Sequence, residues 1–219
     1  MKIIDQPEYD SPTVENSYQM RPFEDISPDN ALHVASTLIC TDKHGPGRRF
    51  SLWLQECFRR CPGCTNGHML TSERQTIAPI DQLVAQIKTA ARGAAQIDGI
   101  TLQGGEPVLQ ARSLSLLIER MRTEVDRDLS VLLFTGYTIE QLQSVSHASV
   151  HDLLQRVDTV IDGHFDRTQL DTRLVRGSLN QRIIHLTPRL AGADFSRRGE
   201  ETVFTFGTQM LRTSGIQYS

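Results

Sequence analysis

The sequence predicts an α/β protein built as a partial, open β/α barrel of about five to six mostly parallel strands. Three observations predict it. Short apolar runs such as DGITLQ (98–103), SVLLF (130–134) and DTVID (158–162) recur along the chain. Stretches with apolar residues at helical spacing separate them. The units are too few for a closed (β/α)₈ barrel, so the sheet is expected to stay open.

Residues 1 to about 30 hold Pro7, Pro12, Pro22 and Pro28 among polar residues and read as an extended arm ahead of one domain over 31–219. LHVASTLIC (32–40) and RRFSLWLQEC (48–57) are strand-like, joined by the turn-rich DKHGPG, with Phe50 and Trp53 read as core. A cysteine-bearing loop runs on to about residue 76. Pro79 then opens a helix in which Ile80, Leu83, Val84, Ile87, Ala91 and Ala94 share a face. DGITLQ ends in Gly104-Gly105, and the next helix aligns Leu114, Leu117, Ile118, Met121 and Val125. SVLLF stops at Thr135-Gly136, and a helical stretch over 138–155 leads to DTVID. A loop bearing RGSLNQR precedes the last expected strand, ETVFTF (201–206). Gly104-Gly105, Thr135-Gly136 and Asp162-Gly163 each follow a strand. One end of the sheet therefore gathers them, and ligands of open α/β sheets bind at that end.

The composition narrows the function class. With 219 residues, 38% hydrophobic and 22% charged, the chain suits a soluble globular domain. A net charge of −3 offers no global attraction to nucleic acid or to a membrane surface. The N-terminus lacks the apolar core of a signal peptide, and no apolar run approaches the ~20 residues that span a bilayer. The expected compartment is the cytoplasm, where clustered cysteines bind metal rather than form disulfides.

Cys57, Cys61 and Cys64 form a C-x3-C-x2-C cluster. Thiolates at such spacing let one loop wrap a single iron–sulfur cubane, and three of them leave one iron open. Arg59 and Arg60 would partly offset the negative charge of cluster and thiolates. Zinc on the three cysteines plus His68 is the alternative that the local motif leaves standing. Cys40, on a predicted strand, reads as a buried, inert cysteine.

The wider stretch GPGRRFSLWLQECFRRCPGCTN resembles the radical S-adenosylmethionine (SAM) superfamily, in particular its small glycyl-radical-enzyme activases. The nearest subfamily is the activases of anaerobic ribonucleotide reductases. Four further segments agree in order: Gly104-Gly105-Glu106-Pro107, Thr135-Gly136-Tyr137, Asp162-Gly163-His164-Phe165 and Arg176-Gly177-Ser178-Leu179-Asn180-Gln181. The resemblance implies a [4Fe–4S] cluster on Cys57, Cys61 and Cys64, with SAM on the open iron. It also implies contacts to SAM from Gly104, Gly105 and Glu106, with Glu106 meeting the methionyl ammonium. Further contacts are implied from Thr135, Asp162, Arg176, Ser178 and Asn180. The implied product of SAM cleavage is a 5′-deoxyadenosyl radical. The implied partners are a glycyl-radical enzyme and a flavodoxin or ferredoxin as electron donor.

The sequence departs from that pattern in places. Glu56 stands before Cys57 where relatives commonly have glycine, Gly63 before Cys64 where an aromatic residue is usual, and His44 where Asp or Asn is frequent. The small size and the single cysteine group favour the activase. Radical modification of a peptide or small molecule is the second expectation, and a non-catalytic zinc- or cluster-binding module the third.

Overall fold

The computed structural model describes residues 24–41, 43–70, 76–172 and 175–196, together with the backbone of two strands at 201–206 and 209–214. Most of the arm expected over residues 1–30 lies outside the described residues, as does the side chain of Cys40.

Among the described residues, nine strands form one open mixed sheet, more than the five or six expected. They are β1 (Ala31–Thr41), β2 (Arg49–Leu54), β3 (Thr76–Pro79), β4 (Gly99–Gly104), β5 (Ser130–Phe134), β6 (Thr159–Asp162), β7 (Arg182–His185), β8 (Glu201–Phe206) and β9 (Gln209–Ser214). The order is β7-β6-β5-β4-β2-β1-β8-β9, with β3 also paired to β1. Of these, only β2, β4, β5 and β6 run parallel to one another. Antiparallel additions extend both sides: β7 against β6, and β1 with β3, β8 and β9 on the other flank. Of the three strands not expected, β3 and β7 are four residues each, too short to carry a readable alternation, and β3 ends in a proline, while β9 follows the strand expected to be the last. The parallel centre matches the βα pattern of the sequence; the mostly parallel description does not extend to the flanks.

Four α-helices among the described residues connect these strands: α1 (Ile80–Arg92), α2 (Ala111–Glu124), α3 (Ile139–Ser144) and α4 (Ala148–Arg156). Pro79 lies just outside α1, where its missing N–H costs nothing. The helix ends at Arg92, so Ala94, expected on its buried face, lies beyond it and is exposed. The gap follows from Gly93, whose extended ψ of −170° breaks the helical path. The stretch 138–155 divides into α3 and α4 because Val145 turns extended. The ring of His151 then meets Val145 O at 2.7 Å, and Thr138 and Gln141 form a reciprocal capping box at the start of α3.

Alternation along the central strands sorts their side chains. Phe50, Leu52, Leu54, Ile100, Leu102, Val131, Leu133 and Val160 pack against Leu83, Ile87, Leu114, Leu117, Ile118 and Leu153 of the helices. On the opposite face, Leu132 and Ile161 pack with Val175, Leu190 and Phe195, while Trp53 packs with Leu38 and Met69. That face also buries Arg49 completely. Its guanidinium donates to Thr101 Oγ1 (2.6 Å), Pro46 O (3.1 Å), Ile100 O (2.5 Å) and both oxygens of Ser130. Such a buried cation is tolerable because its donors are satisfied. It ties the DKHGPG turn to the starts of β4 and β5, closing the end of the sheet remote from the cysteines.

Residues 24–30 are bonded to the start of α2. Ile26 N donates to Leu109 O, and Ser113 donates to Ser27 Oγ and Pro28 O. Among the described residues, no helix is long and apolar enough to cross a membrane.

Candidate functional site

The carboxyl ends of β2 and β4 lie side by side in parallel register, Leu54 opposite Gly104. The cysteine loop leaves the first and the Gly104-Gly105-Glu106 turn leaves the second. Gly105 N donates to Leu54 O (2.8 Å), and Glu106 N donates to Glu56 O (2.7 Å). A side chain is excluded at both glycines. At Gly104, with φ +114°, a Cβ would sit 2.6 Å from Leu54 N, and at Gly105 it would collide with Glu56 O. The glycine pair thus lets the turn lie against the backbone that carries Cys57.

Cys57, Cys61 and Cys64 are all half-buried, and Cys64 N closes a turn onto Cys61 O at 3.1 Å. Burial pushes the Cys57 thiol up to about 12, with the charge of Glu106 adding to the effect. Burial likewise raises Cys64. Ionising these thiols therefore needs a cation, and metal binding would release their protons. Among the described residues, no three His, Cys, Asp or Glu side chains converge as a single-ion site requires. Zinc would draw its sulfurs within about 3.8 Å of one another. Three thiolates on one loop are the donor set of a cubane, each on a separate iron, and leave the fourth iron to another ligand.

The start of the loop is strained. Glu56 has φ 76°, in the left-handed region that suits glycine, and Arg60 has φ 46°. The Glu56 carboxylate lies 3.7 Å from His33 Nδ1, both side chains being mostly buried. Glu56→Gly is expected to stabilise the chain by about 1 kcal/mol, because relief of the left-handed strain exceeds this long contact. The urea midpoint should rise; a lower midpoint would mean that the His33–Glu56 pair outweighs the strain.

Glu106, 1% exposed, is the centre of the turn. Its Oε1 accepts from Thr135 Oγ1 (2.8 Å) and Val108 N (3.2 Å), and its Oε2 from Gly136 N (2.8 Å). Burial raises its affinity for a proton, while those donors and the charge of Arg59 oppose the rise. Arg59, expected from sequence to offset cluster charge, lies over the Tyr137 ring, 4.6 Å from its centroid. Asn66 Nδ2 donates to Gly104 O (3.1 Å), and Arg167 packs on Gly63, so the loop after β6 borders the cysteine loop.

The remaining expected residues gather one step further along the sheet. Gly163 N donates to Tyr137 O and joins the two groups. Asp162, fully buried, is taken up by Ile139 N (2.8 Å) and by Arg182 at 2.5 and 2.9 Å. Arg176 pairs with Asp171 at 2.7 Å and donates to Gln181 O. Ser178, also fully buried, accepts from Asp166 N (3.1 Å). Asn180 donates to His164 O (2.8 Å), while its Oδ1 is buried without a hydrogen-bond partner among the described residues. Gln103 Nε2, at the end of β4, is buried in the same condition. Such atoms carry a desolvation cost that a polar ligand would relieve. A cavity of about 860 Å³ lined by Arg122, Asp126, Asp158 and Arg189 opens at the far end, where β5 and β6 begin. It is remote from the thiols and has no part in this chemistry.

Thr135, Glu106 and the cysteines are thus brought together. Arg59 and Tyr137 are the site residues that sequence reasoning assigned no such role. The motif Thr135-Gly136-Tyr137 flagged the place but not the contact.

Residues 43–184 match the family model described as a 4Fe-4S single cluster domain. The chain is 33% identical over 153 residues to the anaerobic ribonucleoside-triphosphate reductase-activating protein of Vibrio cholerae, covering 65% of this chain and 90% of that protein. The protein of the same name from Haemophilus influenzae is 31% identical over 147 residues, covering 65% and 90%. That from Escherichia coli K12 is 28% identical over 149 residues, covering 65% and 92%.

Proposed function

The chain belongs to the 4Fe-4S single cluster domain family, alongside the anaerobic ribonucleoside-triphosphate reductase-activating proteins, and from that membership we propose that it is a radical SAM activase. It generates a glycyl radical on an anaerobic ribonucleotide reductase. The observation that carries this reading is the seating of the three-cysteine loop directly on the turn that presents a buried carboxylate, Glu106.

The cysteine loop holds a [4Fe–4S] cluster through Cys57, Cys61 and Cys64. Such a cluster would supply one-electron chemistry for reductive cleavage of bound SAM, the hydrogen of the partner's glycine leaving in 5′-deoxyadenosine. The chain's own contribution is position and charge. Glu106, fixed by Thr135, Val108 and Gly136, offers one carboxylate to the methionyl ammonium. Gly104 and Gly105 keep that carboxylate close to the cysteine loop by allowing backbone to touch backbone. Thr135 orients Glu106, while Asp162, Arg176 and Ser178 brace the polar wall that borders the cofactor. Asn180 and Gln103 present polar atoms to the nucleoside. The open sheet is the frame that a partial radical SAM barrel uses, leaving the mouth free for a glycine loop of the reductase. A flavodoxin or ferredoxin in the cytoplasm supplies the electron.

The test uses anaerobically reconstituted protein. About four irons and four sulfides per chain are expected, with 5′-deoxyadenosine formed from SAM under dithionite. Adding the anaerobic reductase should then produce a glycyl-radical EPR doublet on that partner. A zinc-loaded chain that leaves SAM intact, with or without the reductase, would end this reading.

A further inference from the structure

Glu106 has one acceptor site left. A carboxylate offers about four lone-pair positions, and Thr135 Oγ1, Val108 N and Gly136 N fill three of them. The free one belongs to Oε2, whose donor among the described residues is Gly136 N.

Arg59 lies on that side. A Cβ built on Gly136 would stand 3.4 Å from Glu106 Oε2, 2.5 Å from Arg59 Cδ and 2.6 Å from Arg59 Nε. The arginine stem and the carboxylate oxygen therefore share the bare face of Gly136. The guanidinium is held there by the face of Tyr137, 4.6 Å away. The atoms nearest to this face of Gly136 are side-chain atoms, and the flexible end of Arg59 is foremost among them.

We propose that Arg59 is the resident counter-ion of Glu106 in the SAM-free protein, and that the methionyl ammonium must displace it. The proposal rests on the reading of Glu106 as the ammonium acceptor given above. An ammonium that takes the remaining position on Oε2 enters the space over Gly136 that the Arg59 stem fills, and its charge and the positive sulfonium of SAM are repelled by the guanidinium. Arg59 thus lowers the affinity for ligands that carry the ammonium and leaves the adenosine part untouched. It also makes the carboxylate tolerable when no ligand is present, since an uncompensated buried charge is costly.

The test compares SAM with 5′-methylthioadenosine, which lacks the amino-acid portion, on reconstituted protein with an oxidised cluster so that SAM is not consumed. Arg59→Met should lower the Kd for SAM about tenfold, leave that for methylthioadenosine unchanged, and Arg59→Lys should fall between. On the unmodified chain, phenylglyoxal labelling of Arg59, read by peptide mass spectrometry, should rise when SAM is added and stay level with methylthioadenosine. This second readout needs no variant to fold. An Arg59→Met protein that binds SAM equally or more weakly, or SAM that shields Arg59 from labelling, overturns the counter-ion role and leaves the activase reading intact. A cluster-loaded wild-type protein that does not bind SAM overturns both.

Discussion

A Cys61→Ala variant is expected to lose its cluster iron and with it 5′-deoxyadenosine formation, a fall on the order of a thousandfold or more. Cys61 is the middle thiol of the loop, and its carbonyl also receives Cys64 N. The backbone turn survives the substitution, so the loss falls on the metal rather than on the fold. The remaining thiols cannot hold a cubane between them, and their burial already disfavours the ionised form. Circular dichroism should stay close to that of the parent while iron and sulfide drop together. If the variant still made 5′-deoxyadenosine at the parental rate, the assignment of the cluster to this loop would be wrong.

Gly105→Ala is expected to act on the same site through the backbone, destabilising the chain by about 2–4 kcal/mol and reducing cluster loading in proportion. The added methyl meets Glu56 O, which is itself fixed by the N–H of Glu106. Neither group is the end of a flexible side chain. Either the β4 end moves away from Leu54 or the cysteine loop moves away from Glu106, and both break hydrogen bonds that hold the site together. Gly67→Ala serves as the control, since nothing lies within 4 Å of its added methyl and the change should stay within about 0.5 kcal/mol. The outcome to look for is a lowered thermal midpoint and lowered iron in one variant and neither in the other. Equal behaviour of the two would remove the close-approach argument for Gly105.

Long periodic segments are legible in the sequence. Strand β5 coincides with the expected SVLLF, and Leu114, Leu117, Ile118 and Met121 of α2 are fully or almost fully buried as their spacing implies. The elements that cover these segments are distant in the chain, yet each segment's own periodicity already states which side is apolar. Short pieces are not legible in the same way. Strands β3 and β7 exist because β1 and β6 each present an open edge for pairing, a condition set by the partner and not by four residues of local sequence. The division of 138–155 into α3 and α4 likewise depends on how Val145 and His151 meet.

Residue type and order carry an inventory that can be read without the fold: three thiols on one loop, a Gly-Gly-Glu turn one βα unit later, and the order of the segments that follow. Ligand chemistry follows from residue type and local spacing, and both are written in the chain. The left-handed backbone at Glu56, the satisfaction of Asp162 by Arg182 and the stacking of Arg59 on Tyr137 are set by the folded chain. The reason is physical. Burial, charge and the last free lone pair of a carboxylate are sums over neighbours in space, and here those neighbours come from the ends of β2, β4, β5, β6 and β7, strands that meet only when the sheet has formed.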